Sequence, residues 1–289
     1  VNQMTVKEII DKIEEVSGVS IPEEGTCDKL ISGSPDMEVK KIGCTFMATV
    51  DVIKKAAEEG VNFIITHEPT WFNGNDHTEW VEEDPVYQEK KRLIQEKQIA
   101  IWRDHDHMHM TPGDQIYMGF DQWFGWDSYK VSSSDIGPYL ENDPEKGVFW
   151  KSYGAVYELP QTTLRNLADF FKEKINMDVV QIVGDPDMPV KRVSVQVGGG
   201  SLGLGREEAP MIQMFRDNID VVICGDITEW TLSAYVRDAA ALGMNKGMLV
   251  LGHERSEEWG MEYLTRWLQG IVGDIPVVFI DAGEPFSYL

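Results

Sequence analysis

The run VNFIITHEPTWF, residues 61–72, decides the fold. Phe63, Ile64 and Ile65 are bulky and β-favouring, and the segment before them, VIKKAAEEG (52–60), carries the charge pattern of a surface helix. A short, wholly apolar strand entered from a helix predicts a buried strand of a parallel sheet. His67 and Glu68, two side chains able to hold a metal, then stand where that strand stops. Ligands of open α/β sheets bind outside the carboxyl ends of the strands, so this position is as informative as the residue types. Two other stretches repeat the arrangement. IAIW (99–102) runs out into Arg103, Asp104, His105, Asp106, His107, Met108 and His109, and GMLVLG (247–252) runs out into His253 and then Glu257. Five of the six histidines therefore follow an expected strand, and only His77, in a polar stretch, is read as plain surface.

Working outward, the chain reads as alternating strands and helices. Thr5 and Glu8 frame the start of a helix over 5–16, and the stretch 38–51 reads as a strand after which Asp51 opens the helix closed by Gly60. PVYQEKKRLIQEK (85–97) is a charged helix leading to the strand at 99. DQIYMGFDQWFGW (114–126) places Ile116, Phe120, Trp123 and Phe124 on one helical side, a stripe that fits core or subunit contact better than a cofactor box. A polar stretch at 127–146 is the best candidate for a crossing between domains. A second αβ series follows, with strand character over 147–159, a helix opened by Thr162 or Thr163, and strands at MDVVQIVG, KRVSVQVG, VVIC, GMLVLG and IPVVFI.

Composition sets bounds. At 289 residues and 42% hydrophobic content the chain can bury a large core in one or two domains. The 26 basic residues face 49 acidic ones, a net charge of -23, which disfavours direct binding to nucleic-acid phosphates and favours divalent cations. No run of eighteen apolar residues supports a membrane span, and the charged start VNQMTVKEIIDKIEE lacks an apolar signal core, so a cytoplasmic location is expected. Cys27, Cys44 and Cys224 are few and widely spaced, as expected of reduced thiols, with Cys44 and Cys224 in the core.

Three motifs carry chemistry. Gly198, Gly200 and Gly203 spell GxGxxG after VSVQV, with Asp226 at about the distance of a ribose-binding acid. Gly225 separates that acid from its strand, which argues against a dinucleotide site, and the glycines serve equally as a tight turn or as backbone donors to an anion. His253 and Glu257 are spaced i, i+4 and become neighbours if the last helix extends back to them. His105, His107 and His109 share a face if extended, whereas His105 and His109 share one if helical. Together, His67, Glu68, His105, His109, His253 and Glu257 offer enough nitrogen and oxygen ligands for two divalent ions, with zinc, iron or manganese fitting such donors. Two-metal sites, roughly 3.5 to 4 Å between ions, activate water and polarise a substrate together.

The runs TVDVIKKAAEEGVNFIITHEPTWF, IAIWRDHDHMH, VSVQVGGGSLG, DVVICGDITEW and GHERSEEWG resemble the Nif-three-like family of dinuclear metal centre proteins, some of which carry the label GTP cyclohydrolase I type 2. The resemblance covers nearly the whole chain, above all through THEP (66–69) and GHERSE (252–257). It implies two intertwined α/β domains, residues 1–128 and 245–289 forming one around a middle domain at 129–244, assembled as a homohexamer. It also places family ligands on His67, His105, His253 and Glu257. Glu68 stands where the family usually has a second histidine, and HDHMH stands for HTNLD, so His109 replaces an aspartate. Glu229 and Trp230 occupy a stretch that usually bears a histidine. The expected function is a dinuclear metal-dependent hydrolase of a small phosphorylated or nucleotide-like molecule. In it His67, Glu68, His109, His253 and Glu257 hold the ions, His105 ligates or shuttles a proton, and His105 and Glu257 take the catalytic roles. A metal-binding regulatory protein without turnover, or a cyclohydrolase acting on GTP, are the alternatives.

Overall fold

The computed structural model describes residues 3–131, 154–203 and 207–289. In chain order the elements are β1 (Met4–Thr5), α1 (Val6–Ser17), β2 (Leu30–Ser32), β3 (Glu38–Val39), β4 (Ile42–Thr45), α2 (Val50–Glu58), β5 (Phe63–Thr66), α3 (Pro85–Lys97), β6 (Ala100–Arg103), α4 (Asp106–Met110) and α5 (Gln115–Phe124). They continue as β7 (Ala155–Thr163), α6 (Leu164–Ile175), β8 (Gln181–Val183), β9 (Pro189–Gln196), α7 (Ala209–Arg216), β10 (Val221–Cys224), α8 (Leu232–Ala241), β11 (Gly247–Val250), α9 (His253–Gln269) and β12 (Val277–Phe279). The chain divides into one compact unit of residues 1–119 with 258–283 and another of 120–257 with 284–289. Most of the crossing expected at 127–146, and the first part of the strand expected over 147–159, lie outside the described residues.

In the first unit the strand order is β12-β4-β5-β6-β2, with β12, β4, β5 and β6 parallel and β2 antiparallel at the edge. All four residues of β5 are buried, which is why this central strand reads as a continuous apolar run rather than an alternation. The register levels the strand ends: Thr45 pairs with Thr66, and Thr66 with Arg103. Residues just beyond β5 and β6 therefore emerge side by side. One apolar cluster packs Val52, Ile53 and Ala56 of α2 against Ile64, Ile94, Ile99 and Ile101.

The second unit repeats this logic. Its order is β7-β9-β10-β11-β8, with β9, β10 and β11 parallel between antiparallel edges. Cys224 pairs with both Gln196 and Val250, so these strands also end level. Phe120, Phe124, Trp126, Tyr157, Phe170 and Phe171 form one aromatic cluster, Trp126 and Phe170 stacking at 5.9 Å. Phe120 and Phe124 are thus core residues as expected, whereas Trp123 stays 39% exposed. Among the described residues no helix is long and apolar enough to cross a membrane.

Local details depart from the sequence reading for identifiable reasons. The expected strand at 38–51 is two, β3 pairing with β1 and β4 with β5. Thr49, not Asp51, caps α2, its hydroxyl accepting from the Val52 amide at 3.1 Å. Thr163, the second of the two candidates, caps α6 by accepting from Asn166 N at 3.1 Å. Cys44 and Cys224 are fully buried, and burial pushes the Cys44 thiol up to about 12.

Two measurements follow. An added Cβ at Gly119 would lie 2.3 Å from the Trp259 carbonyl oxygen and 2.6 Å from Gly260 Cα, so α5 and α9 meet there only because neither residue has a side chain. The obstruction is backbone, and it outweighs the helix-propensity gain of about 1 kcal/mol. Gly119→Ala is expected to lower stability in urea unfolding by about 1 to 3 kcal/mol. Lys90 is 5% exposed, donates to the Thr70 carbonyl at 2.8 Å and lies over the Trp71 and Phe72 rings. Burial pulls its ammonium down to about 8 from 10.5, against the opposing pull of Asp76. Between those values the unfolded chain holds a proton that the folded chain has lost, so stability rises with pH across that window. The native chain should gain on Lys90→Met by about 3 kcal/mol between pH 8 and pH 10.5, read from paired denaturation curves.

Candidate metal centre

In the first unit the end of β5 is bent by one carbonyl: the amides of His67 and Glu68 both donate to Phe46 O, at 3.1 and 2.9 Å. The loop beyond is fixed from beneath. Asp76 Oδ1 accepts from the Thr70 and Trp71 amides, and Arg103 donates from Nε to His67 O at 3.1 Å and from a terminal nitrogen to Gly74 O at 2.6 Å. His67 therefore stands in one orientation, fully buried.

β6 hands over to α4 through Asp28. Its carboxylate accepts from the amides of His105, Asp106 and His107 at 2.8 to 3.0 Å, capping a short helix from a position some 77 residues earlier. The helix resolves what periodicity left open, turning His105 and His109 toward His67 while His107 turns to Asp28. The imidazole centroids of His67, His105 and His109 lie 4.5 to 4.9 Å apart.

The outer nitrogen of each ring is tied to an acceptor. His67 Nδ1 donates to the Asp104 carbonyl at 3.2 Å, His105 Nδ1 to Asp106 at 2.8 Å and His109 Nδ1 to Asp114 at 2.9 Å. A neutral imidazole with its proton on Nδ1 has its lone pair on Nε2. His67 Nε2 and His109 Nε2 then face each other at 3.1 Å, and Glu68 Oε1 lies 3.9 Å from His67 Nε2 and 3.7 Å from His105 Nε2. A proton or a cation between them would satisfy both nitrogens. Ligand atoms of His67, His105 and His109 fall within 4.8 Å of one another, and imidazoles held from behind by carboxylate or carbonyl are the arrangement that orients metal ligands. Glu68 Oε2 is 3.7 Å from the Arg103 guanidinium, leaving Oε1 toward the rings.

In the second unit α9 starts at His253 rather than near Ser256, so His253 and Glu257 share one face as the i, i+4 spacing allowed. His253 Nδ1 donates to Asp226 Oδ2 at 2.6 Å, and Nε2 lies 2.5 Å from Glu257 Oε1. The glycine motif is built around this pair. Gly198 has φ +56° and donates its amide to Ser256 Oγ, and Asp226 N donates to Gly198 O. A Cβ at Gly198 would sit 2.4 Å from Glu257 Oε1 and 2.7 Å from His253 Nε2, in the space where a cation held by that pair would lie. After β9 comes a 3-10 turn over Gly198–Leu202 and the next helix opens only at Ala209, so the motif does not start a helix as a dinucleotide fingerprint must. Asp226 orients an imidazole instead of a ribose.

The first unit therefore brings together His67, Glu68, His105 and His109, and the second unit His253 and Glu257. His77 is exposed. Sequence reasoning missed Asp28, Arg103, Asp114 and Gly198 as parts of these clusters and left Asp226 without a role. Only Asp114, five residues past His109, carried a local signal.

A profile of the family described as Duf34/NIF3 (NGG1p interacting factor 3) matches residues 4–285. The GTP cyclohydrolase 1 type 2 homolog of Clostridium acetobutylicum is 25% identical, over 92% of this chain and 90% of its own length. That of Clostridium perfringens is 24% identical over 99% and 100%. Among solved structures, the Bacillus cereus protein related to NIF3 matches over all of both chains with a TM-score of 0.71 and 16% identity. Staphylococcus aureus protein SA1388 does so with 0.69 and 20%, and both show a shared fold. With its level strand ends and its profile match over nearly every residue, the chain belongs to the DUF34/NIF3 family.

Proposed function

We propose that this protein binds two divalent metal ions and uses them to hydrolyse a small phosphorylated or nucleotide-like molecule. His67, Glu68 and His109 are ligands of the first unit, with His105 either a further ligand or the proton carrier, and His253 and Glu257 are those of the second. The observation that carries the reading is the convergence of imidazole Nε2 atoms on a carboxylate, each imidazole anchored through Nδ1. Neutral nitrogen with carboxylate oxygen suits zinc, iron or manganese. When bound, such ions supply Lewis acidity and bring the ionisation of water toward neutral pH.

The chain's own groups have defined parts. Arg103 lies 3.7 Å from Glu68 Oε2, and Oε1 faces the imidazole rings. Asp114 and Asp226 fix the tautomers of His109 and His253. His105 has the most exposed side chain of its cluster, 22%, and a carboxylate behind its Nδ1, which suits it to take a proton from the attacking water and return it to the leaving group. Glu257, nearly buried beside His253 Nε2, is the matching group of the second unit. The names of the curated relatives support a nucleotide-like substrate, and cyclohydrolase action on GTP is the narrower form, read by formate release. A homo-oligomer, located in the cytoplasm, completes the proposal.

Elemental analysis after loading with zinc, manganese or iron is expected to find at least two ions per chain, and chelation to abolish turnover in a phosphoester and nucleotide screen. His67→Ala and His253→Ala each lose metal. His105→Gln decides its role: an ion lost makes it a ligand, and ions kept with turnover lost make it the proton carrier. A chain that stays metal-free under every loading condition removes the premise. Metal bound in full without turnover on any substrate leaves the regulatory reading. Gly198→Ala places a methyl group against both second-unit ligands and is expected to weaken metal binding about 10-fold or more, measured by titration calorimetry.

A further inference from the structure

The turn that presents the first unit's histidines holds a second set of groups that the proposed hydrolysis does not use. Asp28, Asp104 and His107 are all buried, at 6%, 0% and 5% exposure, and offer ligand atoms within 4.8 Å of one another. His107 Nδ1 lies 2.6 Å from Asp28 Oδ2, and His107 Nε2 lies 3.9 Å from Glu14 Oε1. Glu14, on α1, is partly exposed and connects the cluster to solvent.

Asp104 is the anomaly. Neither of its carboxylate oxygens has a hydrogen-bond partner among the described residues, although the side chain is wholly buried. Asp28, by contrast, accepts from three amides and lies 2.6 Å from His107 Nδ1. Two buried carboxylates side by side need positive charge between them. A proton removes the charge but creates a buried O–H, and neither Asp104 oxygen makes a hydrogen bond. A cation satisfies charge and lone pairs together.

We propose that Asp28, Asp104 and His107 bind one further divalent first-row metal ion, of the manganese or zinc type, at a site sharing no residue with the ligands assigned above. One imidazole with two carboxylates is a donor set for such ions, and the net charge of -23 favours their capture. The ion ties α4 to the segment carrying Asp28 and so rigidifies the turn from which His105 and His109 project.

Crystals of the full chain grown with manganese, measured on both sides of its absorption edge, are expected to show an anomalous peak among these three side chains. Elemental analysis should count one manganese fewer per chain in Asp104→Asn, which keeps the side-chain shape, with the metal-free melting temperature unchanged or raised. If that variant does not fold, the diffraction arm on the native chain decides alone. Peaks at the other histidines without one here, or an unchanged count in Asp104→Asn, overturn this site and leave the proposed hydrolase standing. A peak here with none at His67 or His253 supports it and removes the earlier reading. No peak anywhere removes both.

Discussion

Three imidazole nitrogens crowded together share either a proton or a cation. His67, His105 and His109 are each tethered through Nδ1, which turns their Nε2 atoms inward, those of His67 and His105 toward Glu68. A cation among these side chains would take the place of a shared proton, as at the 3.1 Å contact of His67 Nε2 with His109 Nε2, and the parallel sheet supplies the rigidity that positions them. Level ends at Thr45, Thr66 and Arg103 make the neighbouring side chains emerge together, with no freedom to retreat.

Much of this was legible in the sequence because it depends on local order. A wholly apolar run ending in His67 announces a buried strand and its functional end in the same dozen residues. The same holds for the strands before His105 and His253. What was not legible depends on register. Asp28 caps α4 from about 77 residues away, and Asp226 lies 27 residues before the histidine it orients. Nothing in the composition around either aspartate marks it, since acidic residues are the commonest charged type in this chain. The helical state of 106–110 was undecidable for the same reason: its cap is supplied by a remote carboxylate and not by its own first turn.

The glycine stretch shows how a motif can be right about geometry and wrong about ligand. Gly198 and Gly225 are needed because backbone meets backbone there: a Cβ on Gly225 would fall 2.3 Å from the Gly198 carbonyl oxygen. Close approach is also what a dinucleotide loop requires, so the pattern alone does not separate the two uses. The separating fact is which element follows. A helix beginning within the motif would aim its amides at a phosphate, but the 3-10 turn here aims Gly198 at Ser256 and clears space beside His253 and Glu257.

The same physics bears on positions 68 and 109, where the resemblance implies a histidine and an aspartate and this chain has Glu68 and His109. A carboxylate at 68 brings negative charge into a nearly buried place, and the Arg103 guanidinium 3.7 Å away offsets part of it. At 109 an imidazole brings no charge of its own, yet Asp114 stands 2.9 Å behind its Nδ1 and lends it anionic character through the shared proton. Charge lost at one ligand is thus restored one bond further back, and charge gained at the other is partly masked by a fixed cation. The donor count stays the same while the hardness of the individual donors is redistributed. In the proposed site, metal preference follows from the ligands together with the residues behind them, Arg103 and Asp114.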